Sequence, residues 1–186
     1  QDYLKHQLLI DHREDGEMIL SSGLTLDPVA QNTGEWLHRW ADKTPDAVFL
    51  AARSGPGWRE LSYGDALSQV QAVAAGLLDH GVTPGDKIII LSGPGIEHGI
   101  RRLAAQCIGG ATVPVAEQYS LIPDALPRLI HIAEKTRPAM VFAEDAETFA
   151  RGLSLPQFDN VLKVVNGPAG TGMTPFDRLL AGTADI

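Results

Sequence analysis

The chain has 186 residues, of which 44% are hydrophobic and 20% charged, with 15 Lys and Arg against 23 Asp and Glu for a formal net charge of -8. This length suits one domain or slightly more, and such a chain can bury about 70% of its unfolded surface without a disulfide or a metal. The acidic balance repels phosphate backbones and anionic lipid, so nucleic acid and membrane surfaces are excluded as partners; the largest basic cluster, Arg101-Arg102, is too small to reverse that.

Residues 1–32 are polar and weakly periodic, and are expected to form an extended N-terminal arm. Residues 33–186 read as one α/β unit. Thr33 is a plausible N-cap for a helix with Trp36, Leu37, Trp40 and Ala41 on one face, ended by Pro45. Residues 47–52 read as a strand, Ser54–Gly57 as a turn and residues 58–61 as the returning strand of a β-hairpin. Ser62, with Asp65 three residues on, opens a helix whose apolar face is Ala66, Val70, Val73, Ala74 and Leu77; Gly81 closes it.

The run Lys87–Leu91 is continuously apolar after its first residue, as in a strand buried on both faces of a parallel sheet. Ser92-Gly93-Pro94-Gly95 leads into a helix with the stripe Ile96, Ile100, Leu103, Ala104, Cys107 and Ile108. A strand over 111–115, a helix over 124–135, a strand over 139–142, a short helix over 147–153, a strand over 161–165 and a last helix over 176–180 follow. From Ser62 onward helix and strand alternate, which predicts a mainly parallel sheet flanked by helices.

No apolar run nears the roughly 18 residues of a membrane span. The single cysteine, Cys107, excludes an intramolecular disulfide and a cysteine-based zinc site and fits a reducing compartment, so the cytoplasm is the expected location. The chain reads as cut at both ends: it starts at Gln1 with an acid-rich segment unlike a signal peptide, and residues 182–186 carry no terminal architecture.

Two glycine loops bear on nucleotide chemistry. In Gly93-Pro94-Gly95 with Gly99, the third glycine comes one residue late for a dinucleotide fingerprint, and Pro94 offers no N–H. Gly167–Thr174 fits the P-loop spacing except that Met173 stands where the lysine should be. Both read as turns. The six histidines form no metal-ligand spacing, Ser92 and Ser120 lack a nucleophile-elbow context, and Cys107 lies on an apolar helix face. The residues alone therefore give an acidic α/β domain with no assembled active site.

Two stretches carry a resemblance. Leu61-Ser62-Tyr63-Gly64-Asp65 resembles the first core motif of adenylate-forming enzymes, the family of acyl-CoA synthetases, luciferases and peptide-synthetase adenylation domains. Cys107-Ile108-Gly109-Gly110-Ala111-Thr112-Val113-Pro114-Val115 resembles the second. Within the family, residues 35–51, Ile90–Gly93 with Ile96-Glu97-His98, Tyr119-Ser120-Leu121 and Pro175–Leu180 are similar to feruloyl-CoA synthetases. Departures from that pattern fall at Pro94-Gly95 and Ala116-Glu117-Gln118.

The resemblance implies the N-terminal subdomain of an AMP-forming acid–CoA ligase. The whole enzyme would use ATP, Mg and CoA to join an aromatic, feruloyl-like carboxylic acid to CoA. The family's ATP-gripping loop and catalytic lysine lie beyond residue 186, so the resemblance implies no catalytic residue, metal or cofactor for this chain and no activity alone. It places Tyr119 and Ser120 on the CoA side. A fragment would bare the surface that met its missing half, which makes a dimer through that surface an expectation. Two other readings stay open: a free-standing nucleotide-binding module built on one of the glycine loops, and a non-catalytic subunit of a split synthetase.

Overall fold

A computed structural model describes residues 5–26 and 28–182. The segment ends on which the chain reads as cut, Gln1 and residues 183–186, lie outside the described residues. The described residues fall into two compact units, one up to Gln31 and one from Asn32.

In the first unit, β1 (Leu8–His12) pairs antiparallel with β2 (Met18–Ser22), Leu8 opposite Ser22 and His12 opposite Met18. The expected arm thus carries a hairpin that the polar composition did not announce. Gly16 makes the turn possible with φ +90°, a left-handed conformation that costs glycine nothing. The Arg13 N–H donates to the Glu17 carbonyl at 2.9 Å across it.

The second unit opens with α1 (Thr33–Lys43). Its N-cap is Asn32, one residue before the expected Thr33: the Asn32 side-chain oxygen accepts from the Gly34 N–H at 2.8 Å. Leu37 and Ala41 are buried, but Trp36 and Trp40 are exposed, so the apolar face of this helix is narrower than the sequence suggests. The hairpin appears as expected, β3 (Val48–Ser54) against β4 (Gly57–Ser62), with a register shift between Val48 and Leu50.

Next come α2 (Tyr63–Asp79), β5 (Lys87–Leu91), α3 (Ile96–Cys107) and β6 (Ala111–Pro114). A one-turn helix that the sequence did not signal, α4 (Gln118–Leu121), precedes a 3-10 turn at Pro123–Ala125 and α5 (Leu126–Thr136). Then β7 (Met140–Ala143), α6 (Ala150–Leu153), β8 (Leu162–Val165) and the two-residue β9 (Thr174–Pro175) complete the order. The segment expected as a last helix, Phe176–Ala181, is 3-10.

Strands β6-β5-β7-β8-β9 form one sheet in that order, every pairing parallel. Its side chains alternate between two cores, as a pleated strand requires. Ile88, Ile90, Met140, Phe142 and Val164 join α2, α3, Phe176 and Leu179 on one face. Ile89, Leu91, Val141, Ala143 and Val165 join α5, Phe149, Leu153 and Phe158 on the other. The continuous apolar run 88–91 is explained by this: each residue faces one core or the other and none faces water.

Candidate functional site

The strand order reverses direction at β5. The chain runs from β5 to β6 on one side and then returns to β7 on the other. In open parallel sheets, the crevice at such a switch, outside the carboxyl ends of the strands, is where ligands approach. Here the residues leaving those ends are Ser92–Gly95 after β5, Val115–Glu117 after β6, Glu144 after β7 and Asn166 after β8. The Glu144 N–H donates to the Leu91 carbonyl at 3.0 Å and the Asn166 N–H to Ala143 at 3.3 Å, so Glu144 and Asn166 extend the ladder by one rung.

Helix α3 starts at this rim. Its N-cap, Gly95, supplies no side-chain bond. Ser92 is buried, and its hydroxyl lies 3.0 Å from His98 Nδ1 on the first turn. Glu97 beside it accepts from Arg59 Nη2 of β4 at 2.5 Å. Burial raises the Glu97 carboxyl, but the Arg59 hydrogen bond and charge, with its own backbone N–H, outweigh burial and hold it below the ordinary value.

One turn further, Arg101 is the most unusual residue of the chain. It is 3% exposed. Its guanidinium packs against two rings, 3.5 Å from the Phe142 centroid and 4.2 Å from that of Phe176. Nη2 donates to Asn166 Oδ1 at 2.5 Å, and Asn166 Nδ2 donates to Glu144 Oε1 at 3.0 Å. Nε and Nη1 are buried with no partner among the described residues. Burial pushes this group down to about 10, with Glu144 and Glu97 pulling the other way.

Tyr119 and Ser120 sit on α4, beyond the end of β6. Ser120 is wholly buried, and its Oγ has no partner among the described residues. Gly152 of α6 packs so close to that oxygen that any Cβ there would collide with it. Tyr119 is half-buried against the second core, with the Arg128 guanidinium 5.3 Å from its ring.

Cys107 is half-buried, and burial pushes its thiol up. It lines a 230 Å³ cavity with Gly34, Glu35, His38, Val70 and Gln71.

Neither glycine loop fits a nucleotide phosphate. A Cβ on Gly93 would lie 3.1 Å from a Glu117 carboxylate oxygen, so a negative charge already stands over that loop, and Pro94 brings no N–H. In the second loop, Gly167 and Gly172 take left-handed turns and the chain returns directly to β9, with Met173 packed against the second core. No group of three or more His, Cys, Asp or Glu among the described residues is placed to hold a metal ion. No helix among them is long and apolar enough to cross a membrane.

The sequence reading missed Arg101, seen only as half of a small basic pair. The signal was present: 101, 104, 105 and 108 share one helical face, and Ala104, Ala105 and Ile108 are all buried on it. The Ser92–His98 bond was not read either, although both residues stand in the stretches similar to feruloyl-CoA synthetases, Ile90–Gly93 and Ile96–His98.

The profile of AMP-binding enzymes matches residues 37–177. The chain belongs to that family. Its parallel sheet, flanking helices and antiparallel hairpin match the N-terminal subdomain of AMP-binding ligases. The long-chain-fatty-acid–CoA ligase FadD15 of Mycobacterium bovis is 29% identical over 147 residues, covering 76% of this chain and 23% of that protein. The PKS-NRPS hybrid synthetase psoA of Aspergillus fumigatus is 32% identical over 136 residues, covering 72% of this chain and 3% of that protein. The acetoacetyl-CoA synthetase of Streptomyces lividans superposes with a TM-score of 0.70 at 19% identity, over 83% of this chain and 25% of that structure; this is a likeness of fold. The chain thus spans less than a quarter of the length of the curated relatives named here. The whole AMP-binding core motif pair read from the sequence, residues 61–65 and 107–115, lies inside the matched stretch.

Proposed function

We propose that this chain is the N-terminal subdomain of an AMP-forming acid–CoA ligase that acts on an aromatic, feruloyl-like carboxylic acid in the cytoplasm. The carrying observation is the family match over residues 37–177. The aromatic reading is supported by the feruloyl-synthetase-like stretches at residues 35–51 and 119–121. Such a ligase activates the acid with ATP and passes it to CoA. In this reading the chain contributes structure to the ligand crevice, Tyr119 lines the CoA side with Ser120 fixed behind it, and the phosphate grip comes from outside this chain. Alone, the chain is inactive. The poor fit of both glycine loops to phosphate, with the Glu117 carboxylate over Gly93, supports this reading.

A second reading, a fatty acid as substrate, is favoured by the relative described as a long-chain-fatty-acid–CoA ligase. One assay separates them. The full-length protein is given ATP, Mg and CoA with ferulate or with palmitate, and thioester formation is followed. Turnover of ferulate alone is expected, with Tyr119→Ala raising the KM for CoA and leaving that for ferulate unchanged. Preferred turnover of palmitate overturns the aromatic reading, and no thioester from either acid overturns the ligase reading. For the 186-residue chain, calorimetry should find no micromolar affinity for ATP.

A further inference from the structure

Arginine carries five N–H donors and no acceptor. In Arg101 only Nη2 has a side-chain partner, Asn166 Oδ1, while Nε and Nη1 are buried and unpartnered among the described residues. A buried cation left in this condition destabilises a fold, and an apolar side chain of similar volume would not. The neighbouring carboxylates favour its charge but do not fill the open donors. Glu97 is committed to Arg59 at 2.5 Å, Glu144 bonds the Asn166 amide at 3.0 Å, and neither forms an ion pair with Arg101.

The rings of Phe142 and Phe176 pack against the guanidinium, with centroids 3.5 and 4.2 Å from its Cζ. Its Nε and Nη1 edge is left for a partner, and planar carboxylate and phosphate oxygens use such an edge in forked contacts with arginine. Because arginine can only donate, Asn166 must turn its oxygen to Arg101 and its NH2 to Glu144. The exposed Glu144 carboxylate is therefore tethered one amide away from the cation, at the carboxyl ends of β7 and β8.

We propose that Arg101, Asn166 and Glu144 form an oxyanion-binding site at the switch point of the sheet, which takes the carboxylate or phosphate group of a small ligand. The incoming oxyanion bonds the free Arg101 N–H groups and the Asn166 NH2, and Glu144 is the tethered competitor that swings out to admit it. This site uses no feature of the ligase reading and stands or falls separately from it.

The test uses the 186-residue chain, titrated in parallel with sodium benzoate and with inorganic phosphate. It reads the Arg101 Nε–H resonance in ¹⁵N-edited NMR and affinity by calorimetry. The expected result is that one or both anions move the Nε–H resonance, that Glu144→Ala binds more tightly than wild type, and that Arg101→Met loses about tenfold or more, the worth of one charged hydrogen bond. A response to benzoate alone assigns a carboxylate ligand, and to phosphate alone a phosphorylated one. If neither anion moves the resonance in wild type or in Glu144→Ala, the proposal is overturned. Undiminished binding by Arg101→Met overturns it as well, since the anion then sits elsewhere.

Discussion

Among the described residues three polar side chains are buried, Ser92 just past β5, Arg101 on α3 and Ser120 on α4, while the other buried residues are apolar or glycine and proline. Each meets its burial differently. Ser92 spends its hydroxyl on His98, Ser120 has no partner among the described residues, and Arg101 satisfies one nitrogen of three while resting on two rings. Ring contacts return part of the cost of burying a cation, but they do not replace hydrogen bonds. Arg101→Met should therefore leave the fold intact and be neutral or stabilising by up to about 4 kcal/mol in urea unfolding; a loss of stability would show that the ring contacts outweigh the unmet donors.

Glu97 sets a pH dependence. Its folded pKa is depressed below 4.5 in net, so its contribution is fully present above that pH and is lost as the carboxylate protonates below it. Asp86, held low by the backbone N–H and hydroxyl of Thr83 at 2.7 and 2.8 Å, acts in the same direction below 3.8. Glu97→Gln should flatten part of the fall in Tm between about pH 3 and pH 5, and the residual slope belongs to Asp86 and other acids. An unchanged slope would mean that the Arg59 pair contributes nothing in solution.

At the scale of elements, helix starts are set by short-range chemistry. Ser62 caps α2 by accepting from the Asp65 N–H at 3.1 Å while its hydroxyl donates to the Asp65 carboxylate at 2.8 Å. Ser62→Ala should cost about 1 kcal/mol by denaturant titration, with an unchanged m-value. Helix ends and lengths follow packing instead. Phe176–Ala181 is a 3-10 segment that lies directly on Gly76, where even a single added methyl would strike the backbone of Leu179. In α1 the Trp36 and Trp40 spacing is helical, yet those side chains face outward; Trp40 instead has its ring 6.2 Å from Tyr63 and the Lys43 amine 5.7 Å above it. The hairpin β1–β2 had one sequence mark, Asp15-Gly16 between the short apolar runs Leu8–Ile10 and Met18–Leu20, which the acidic surroundings hid.

At the scale of the molecule, a parallel sheet closed on both faces gives two cores divided by one layer of backbone. Ile89 and Ile90 are both 0% exposed although they point in opposite directions. Ile89→Ala and Ile90→Ala should each cost about 2–5 kcal/mol. A cost below about 1 kcal/mol for either one would mean that its face of the sheet is open to water.

The sequence by itself determined the alternation of helix and strand, the parallel sheet, the cap at Ser62, the apolar faces of α2 and α3, and the motif pair inside the family match. These depend on periodicity and on contacts a few residues apart, which any single chain displays. Tertiary structure alone decided which ends of the strands meet. Arg101 finds Asn166 across 65 residues and Arg59 finds Glu97 across 38. The first separation is closed by the order β6-β5-β7-β8 and the second by the β3–β4 hairpin packing on α3; both are set by how whole layers pack, not by the residues that the packing happens to bring together.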